Sequence, residues 1–153
     1  MKPALGLRAL LFTAASLPWA GPWLPGTARR ALGLAFAPIC HQRPERTLVL
    51  AGHAMSVCSR CAGLYAGVAL GALVAWPRLG STRYRSVFAI AAALLLMDVV
   101  AQDSGLHPVW HLSRLLTGAA CGYVASAWLS HESACIRSGV DAVDAAAAST
   151  RDG

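Results

Sequence analysis

The sequence has very few charged residues. Asp, Glu, Lys and Arg together make up 13% of its 153 residues, whereas a soluble domain averages about 25%. Hydrophobic residues make up 56%, and the mean hydropathy is +0.52. Because a soluble protein covers much of its surface with charged groups, this shortage favours an integral membrane protein, in which lipid surrounds most side chains.

Acidic residues are scarcer than basic ones, 7 against 13, and the formal net charge is +6. In a nucleic-acid-binding protein such an excess would form a basic patch on a polar surface. Here the arginines flank apolar runs, which is typical of membrane topology, and we expect no nucleic-acid partner. The sequence also lacks a nucleotide-binding loop, a Ser-His-Asp pattern and an HExxH motif, so nothing in it favours an ATPase or a hydrolase.

Apolar runs are spread along the whole chain. They cover residues 5–24, 62–78, 86–102 and 109–130. The second run reaches about 20 residues when the turn from Cys58 is added, which is the length that spans a bilayer. The pattern therefore predicts an all-α fold, an integral membrane bundle of about four transmembrane helices.

The chain divides into three predicted parts. Residues 1–26 form an N-terminal transmembrane helix or a signal-like segment, because a basic start precedes a short apolar core. Cleavage of that segment would leave three transmembrane helices. Residues 27–130 form a membrane domain with a Cys/His loop at 40–61 and three helices. Residues 131–153, rich in Ala, Ser and Asp, form a disordered polar tail.

The order of the apolar runs brings polar side chains together on one side of the membrane. The second run leaves the side of the Cys/His loop, and the third run returns to it. The connection at 78–85 and the Cys/His loop both carry arginines, so the positive-inside rule does not decide which side this is. The residues expected on the side of the loop are Asp98, Gln102, His107, His111 and Arg114.

Three of the five cysteines lie in the Cys/His loop. Cys58 and Cys61 form a CxxC pair at the start of a predicted helix, and Cys40 lies upstream beside His41. The helix N-terminus and a neighbouring arginine favour the thiolate form. One interpretation is a tetrahedral zinc site of three thiolates and one histidine, either His41 or His53. The second interpretation is a redox-active dithiol. The third is a structural role, either as packed side chains or as a disulfide bond.

Asp98 lies within an apolar run, where a charge costs roughly 3 kcal/mol on membrane-insertion scales. We expect it to pair with Arg114, and Gln102, four residues further on, projects from the same side of the helix. The pair either locks two helices together or serves a functional site. We expect a polar cluster that supports the thiols, with the members Gln42, Arg46, Arg60, Asp98, Gln102 and Arg114.

These motifs together resemble the signature of the domain-of-unknown-function family 2085, a family of small prokaryotic membrane proteins. CHQRPERT at 40–47 is similar to C-H-Q-x-P-x-R-S, with threonine in place of the serine. CSRCAGLYAG at 58–67 matches C-x-R-C-x-G-x-Y-x-G, and RLLTGAACG at 114–122 matches R-x-x-T-G-x-x-x-G. In the aspartate-bearing helix between them, Val99 follows Asp98 at the position where the family pattern has glycine. The resemblance implies a polytopic membrane protein and no particular activity.

The sequence thus predicts a multi-pass protein of a prokaryotic inner membrane, with the lipid bilayer as its partner. The favoured function is the binding of a transition metal, zinc before others, at the membrane surface, and the ligands are Cys40, His41, Cys58 and Cys61. The alternatives are a membrane thiol–disulfide oxidoreductase that uses Cys58 and Cys61, and a structural or assembly protein without catalysis. Whether the protein is an enzyme stays open. Glycines spaced four residues apart form two stripes, one of Gly63, Gly67 and Gly71 and one of Gly118 and Gly122. Such stripes suggest close helix packing or a homo-oligomer.

Overall fold

A computed structural model describes residues 2–74, 79–106 and 108–149 of the chain. The fold is mostly helical, with one small two-stranded sheet between the second and third helices. In chain order the elements are α1 (Lys2–Ala20), α2 (Gly26–Phe36), β1 (Thr47–Leu50), β2 (His53–Cys58), α3 (Ser59–Val74), α4 (Ser81–Asp103) and α5 (His111–Ser149). Short 3-10 turns at Gly21–Trp23 and Pro44–Arg46 precede α2 and β1.

The two strands form an antiparallel hairpin whose turn is fixed by its backbone angles. Ala51 and Gly52 both have positive φ, 50° and 76°, as a two-residue hairpin turn of type I′ requires. The register pairs Thr47 with Cys58. The hairpin therefore folds the segment after Cys40 back on itself and delivers Cys58 to the start of α3.

The helix α3 lies between α1 and α5, and α4 packs against α5. The backbones of α3 and α5 touch directly, since a Cβ atom built on Gly63 or Gly67 would overlap the backbone of Leu115 or Ala119. Small residues permit such close helix contacts. The predicted glycine stripes thus lie in the contact between α3 and α5 within one chain.

We expect Gly67→Ala to destabilise the fold by about 1–3 kcal/mol, the usual cost of overpacking a tight contact. The added methyl group would meet the backbone carbonyl of Ala119, which cannot rotate away as a side chain can. The matched control is Gly139→Ala in α5, where a Cβ atom would meet nothing within 4 Å and alanine favours the helix. Thermal unfolding in detergent measures both variants, and equal melting temperatures would contradict the packing.

The prediction of an all-α bundle with about four transmembrane helices is wrong. The chain contains the hairpin, and among the described residues only α4, with 23 residues and a mean hydropathy of 1.8, is long and apolar enough to cross a membrane. The apolar helix α3 has only 16 described residues, fewer than a span needs. In α1 the apolar run is interrupted by Arg8 and Pro18. The apolar composition of these segments did not show that α3 is short or that α1 is interrupted.

The C-terminal region also differs from the sequence prediction. Residues from 131 onwards were expected to form a disordered tail, but α5 continues through them to Ser149. Alanine, the commonest residue of this stretch, is the strongest helix former. The polar composition of the stretch therefore does not prevent helix formation.

Candidate metal centre

Three thiols meet where the loop after α2, the end of β2 and the first turn of α3 come together. The Sγ atoms of Cys40, Cys58 and Cys61 all lie within 4.8 Å of one another. Cys40 is buried, and the other two are half-buried. The backbone N–H of Cys58 donates a hydrogen bond of 3.2 Å to the Cys40 sulfur. We call these three residues the thiol cluster.

The thiol cluster fits a soft transition-metal ion. Zinc binds thiolate sulfur at about 2.3 Å, so sulfurs in a tetrahedral site lie roughly 3.8 Å apart. Sulfurs already within 4.8 Å need to approach by only a small amount. Hydrogen bonds from backbone N–H groups to a ligand sulfur are a usual part of the surroundings of such sites.

The two cysteines of the CxxC pair differ in acidity. The pKa of Cys58 is held well below that of an ordinary thiol, because the Cys61 thiol donates to its sulfur and the backbone N–H groups of Cys61 and Arg60 add to this. The pKa of Cys61 is raised by that same hydrogen bond, by burial and by negative charge on Cys58 and Cys40. One thiolate is therefore stable before any ion binds.

The two candidate histidines occupy different places. His41 lines the cavity next to the thiol cluster, but its ring nitrogens are not within the 4.8 Å group. His53 is exposed at the hairpin turn, with Nδ1 3.0 Å from the Ala51 carbonyl oxygen. His107 lies outside the described residues, and His111 does not line the cavity. In the described part of the chain, only thiols make up the preassembled donor group.

An open cavity of about 630 Å³ lies beside the thiol cluster. Its wall combines the Cys/His loop with the end of α4 and the start of α5. The lining residues are Ile39, Cys40, His41, Gln42, Arg43, Arg46, Cys58, Arg60, Cys61, Gln102, Asp103 and Arg114.

A buried polar network forms the floor of this cavity. Arg60 donates to the Asp98 carboxylate at 2.7 Å. That carboxylate also accepts hydrogen bonds from Gln102 at 3.0 Å and from Ser113 at 3.1 Å. Arg114 donates to the Gln102 side-chain oxygen at 2.7 Å. The predicted ion pair between Asp98 and Arg114 is therefore replaced by an Arg60–Asp98 pair, and Gln102 bridges to Arg114.

The remaining members of the predicted polar cluster lie nearer the surface. Gln42 lines the cavity and donates to the Gly33 carbonyl oxygen at 2.6 Å. Arg46 forms an exposed ion pair of 3.1 Å with Asp103. The sequence reasoning did not single out Arg43, although it lies three residues after Cys40 and lines the cavity. Arg43 stands at the variable fourth position of the C-H-Q-x-P-x-R-S motif, so the motif does not point to it.

Comparison with known proteins places this site within a family. The sequence profile described as "Predicted membrane protein (DUF2085)" matches residues 40–128, more than half of the chain. The chain belongs to the DUF2085 family. The region matched by DUF2085 begins at Cys40 and contains the whole thiol cluster and polar network, while α1 and α2 precede it.

Two archaeal proteins illustrate the DUF2085 relationship. An uncharacterized protein of Methanocaldococcus jannaschii is 33% identical over 93 residues, which cover 58% of this chain and 59% of that protein. An uncharacterized protein of Methanothermobacter thermautotrophicus is 34% identical over 93 residues, covering 58% of this chain and 82% of that protein. No solved structure matches the chain significantly.

Proposed function

We propose that this DUF2085 protein binds a transition metal, zinc before others, through the thiolates of Cys40, Cys58 and Cys61. The supporting observation is the approach of three Sγ atoms to within 4.8 Å without a disulfide between them. Three convergent sulfurs exceed what a dithiol needs and match the commonest structural zinc sites, which use three or four cysteines. The lowered pKa of Cys58 favours the metal-binding form.

We propose His41 as the fourth ligand. It follows Cys40 directly in the chain, and both residues line the same cavity wall. Its side chain is exposed and therefore free to turn towards the sulfurs. His53 would have to leave the far end of the hairpin. A metal ion held in this way would tie the loop after α2 to the end of β2 and the start of α3.

We place this site at the surface of a prokaryotic inner membrane. The profile that matches the chain describes membrane proteins, and only 11% of the apolar window of α4 is buried inside the fold. Large apolar side chains on α4 are exposed, among them Ile90, Leu94 and Leu96. Lipid is the solvent that accommodates such a helix. The thiol cluster, beside the C-terminal end of α4, would then lie at the edge of the bilayer.

The protein purified with its thiols reduced is expected to carry one equivalent of zinc per chain. Elemental analysis measures the metal, and a thiol reagent counts the accessible sulfurs before and after a chelator. Since three of the five cysteines would be ligands, chelation should expose three additional thiols. A metal-free protein whose three cluster thiols react before any chelator is added would refute the proposal.

A redox function is the second candidate, and the unequal acidity of Cys58 and Cys61 favours it. A stabilised thiolate beside a protonated partner is the arrangement that dithiol oxidoreductases use. Oxidation to a disulfide would release two protons and two electrons to an acceptor such as a quinone, which would become a quinol. A metal-free protein whose Cys58–Cys61 pair is oxidised by a quinone would support this function over zinc binding.

A further inference from the structure

Four arginines line the cavity beside the thiol cluster, and only two of them are paired with carboxylates. Arg60 pairs with Asp98, and Arg46 pairs with Asp103. No carboxylate lies within 4.0 Å of Arg43 or Arg114 in the described part of the chain. The wall therefore carries two guanidinium charges without a carboxylate partner.

Arg114 is the more informative of these two residues. Only 2% of its surface is exposed; its side-chain partners are the neutral Gln102, at 2.7 Å, and the Cys58 sulfur. The buried Nε atoms of Arg114 and Arg60 have no hydrogen-bond partner. Buried guanidinium groups without full pairing are costly. An anion in the cavity would add hydrogen-bond partners for the guanidinium groups that line it.

The thiol cluster does not supply enough negative charge by itself. Three thiolates around one divalent ion carry a net charge of −1, which offsets one of the two unpaired guanidinium groups. A lone Cys58 thiolate offsets the same amount. In either case one guanidinium charge of the cavity wall is not offset.

We propose that this cavity is a binding site for a small oxyanion, a phosphate or carboxylate group, held by Arg43, Arg60 and Arg114. Guanidinium groups bind such groups through pairs of charge-assisted N–H···O bonds. The cavity, about 630 Å³, has room for a phosphate and is open on one side. The anion comes either from solution or from an acidic lipid, whose headgroup would reach the cavity from the membrane surface. The ligands of the anion would be arginines, so the site does not require a bound metal ion.

The test is calorimetric titration of the detergent-solubilised full chain with inorganic phosphate and with acetate, before and after chelation of metal. We expect saturable binding of at least one of them, weakened about tenfold or more by Arg43→Gln, because a charge-assisted contact is lost. Arg43 is exposed, so this variant should fold. Arg114→Lys should weaken binding likewise. The matched control is Arg83→Gln, an exposed arginine near the other end of α4, and it should bind as the unmodified chain does.

Nanodiscs distinguish the two sources of the anion. If phosphatidylglycerol, but not phosphatidylcholine, displaces phosphate, the site takes a lipid headgroup. If neither lipid does so, the site takes a soluble anion, and both results support the proposal. No saturable binding of phosphate or acetate, or an equal loss in Arg43→Gln and Arg83→Gln, would overturn it. The titration of chelated protein measures anion binding without the metal. Failure of the metal proposal and failure of the anion proposal therefore give different results.

Discussion

The Cys58→Ser variant is expected to lose stoichiometric zinc. Structural zinc sites bind with roughly 10–16 kcal/mol at pH 7, shared among four ligands, so the loss of one thiolate costs about 2.5–4 kcal/mol, or roughly a hundredfold to a thousandfold in affinity. Serine has nearly the same shape as cysteine but does not form a stable alkoxide at this pH. The bound metal should therefore be lost during purification, as elemental analysis would show.

The position of each cysteine provides the controls for this experiment. Cys40→Ser and Cys61→Ser should behave like Cys58→Ser, since all three sulfurs belong to the thiol cluster. Cys135→Ser changes an exposed cysteine of α5 and should keep the full equivalent of zinc. Retention of zinc in all three cluster variants, or its loss in Cys135→Ser, would contradict the assignment.

The fourth ligand is identified by the same measurement. His41→Ala should lower zinc affinity while leaving the three sulfurs in place, so the metal is lost at a lower chelator concentration than in the unmodified chain. His53→Ala should titrate like the unmodified chain because His53 lies at the hairpin turn. The opposite ranking would assign the role to His53 and show that the hairpin folds over the site.

Much of the candidate site could be predicted from the sequence because it depends on connectivity. Apolar runs that alternate in direction bring the end of α4 and the start of α5 to the Cys/His loop, whatever their exact lengths. The hairpin within that loop was missed because its strands have only four and six residues. Alternation over so few positions is a weak signal. The first turn residue is also Ala51 and not the Asn or Asp that usually precedes glycine in such a turn.

The choice between Arg60 and Arg114 as the partner of Asp98 could not be made from the sequence. Both arginines reach the same end of the bundle, and the decision depends on how α3 and α5 are rotated about their axes. The glycine contacts that fix this rotation also bring Arg60 close to α5, since a Cβ atom on Gly118 would overlap the Arg60 carbonyl. Spacing along one helix does not reveal such contacts between helices.

The Asp98→Asn variant is expected to destabilise the fold by about 3–5 kcal/mol, the usual cost of removing one partner from a buried ion pair. The Asp98 side chain is 8% exposed and that of Arg60 is 15% exposed, so water cannot replace the lost charge. The asparagine amide would also place a donor among groups that now donate to the carboxylate, from Arg60, Gln102 and Ser113. Unfolding in detergent by heat or denaturant measures the loss.

The matched control for this change is Asp103→Asn, the same substitution in an exposed pair. The side chains of Arg46 and Asp103 are 25% and 54% exposed, and surface pairs contribute about 0–1 kcal/mol. The double variant Asp98→Asn/Arg60→Gln should be more stable than Asp98→Asn alone, because it also removes the orphaned charge of Arg60. If the double variant loses, relative to the unmodified chain, as much unfolding free energy as Asp98→Asn and Arg60→Gln lose in sum, Arg60 and Asp98 are not energetically coupled. The network would then hold α3, α4 and α5 through neutral hydrogen bonds and not through an ion pair.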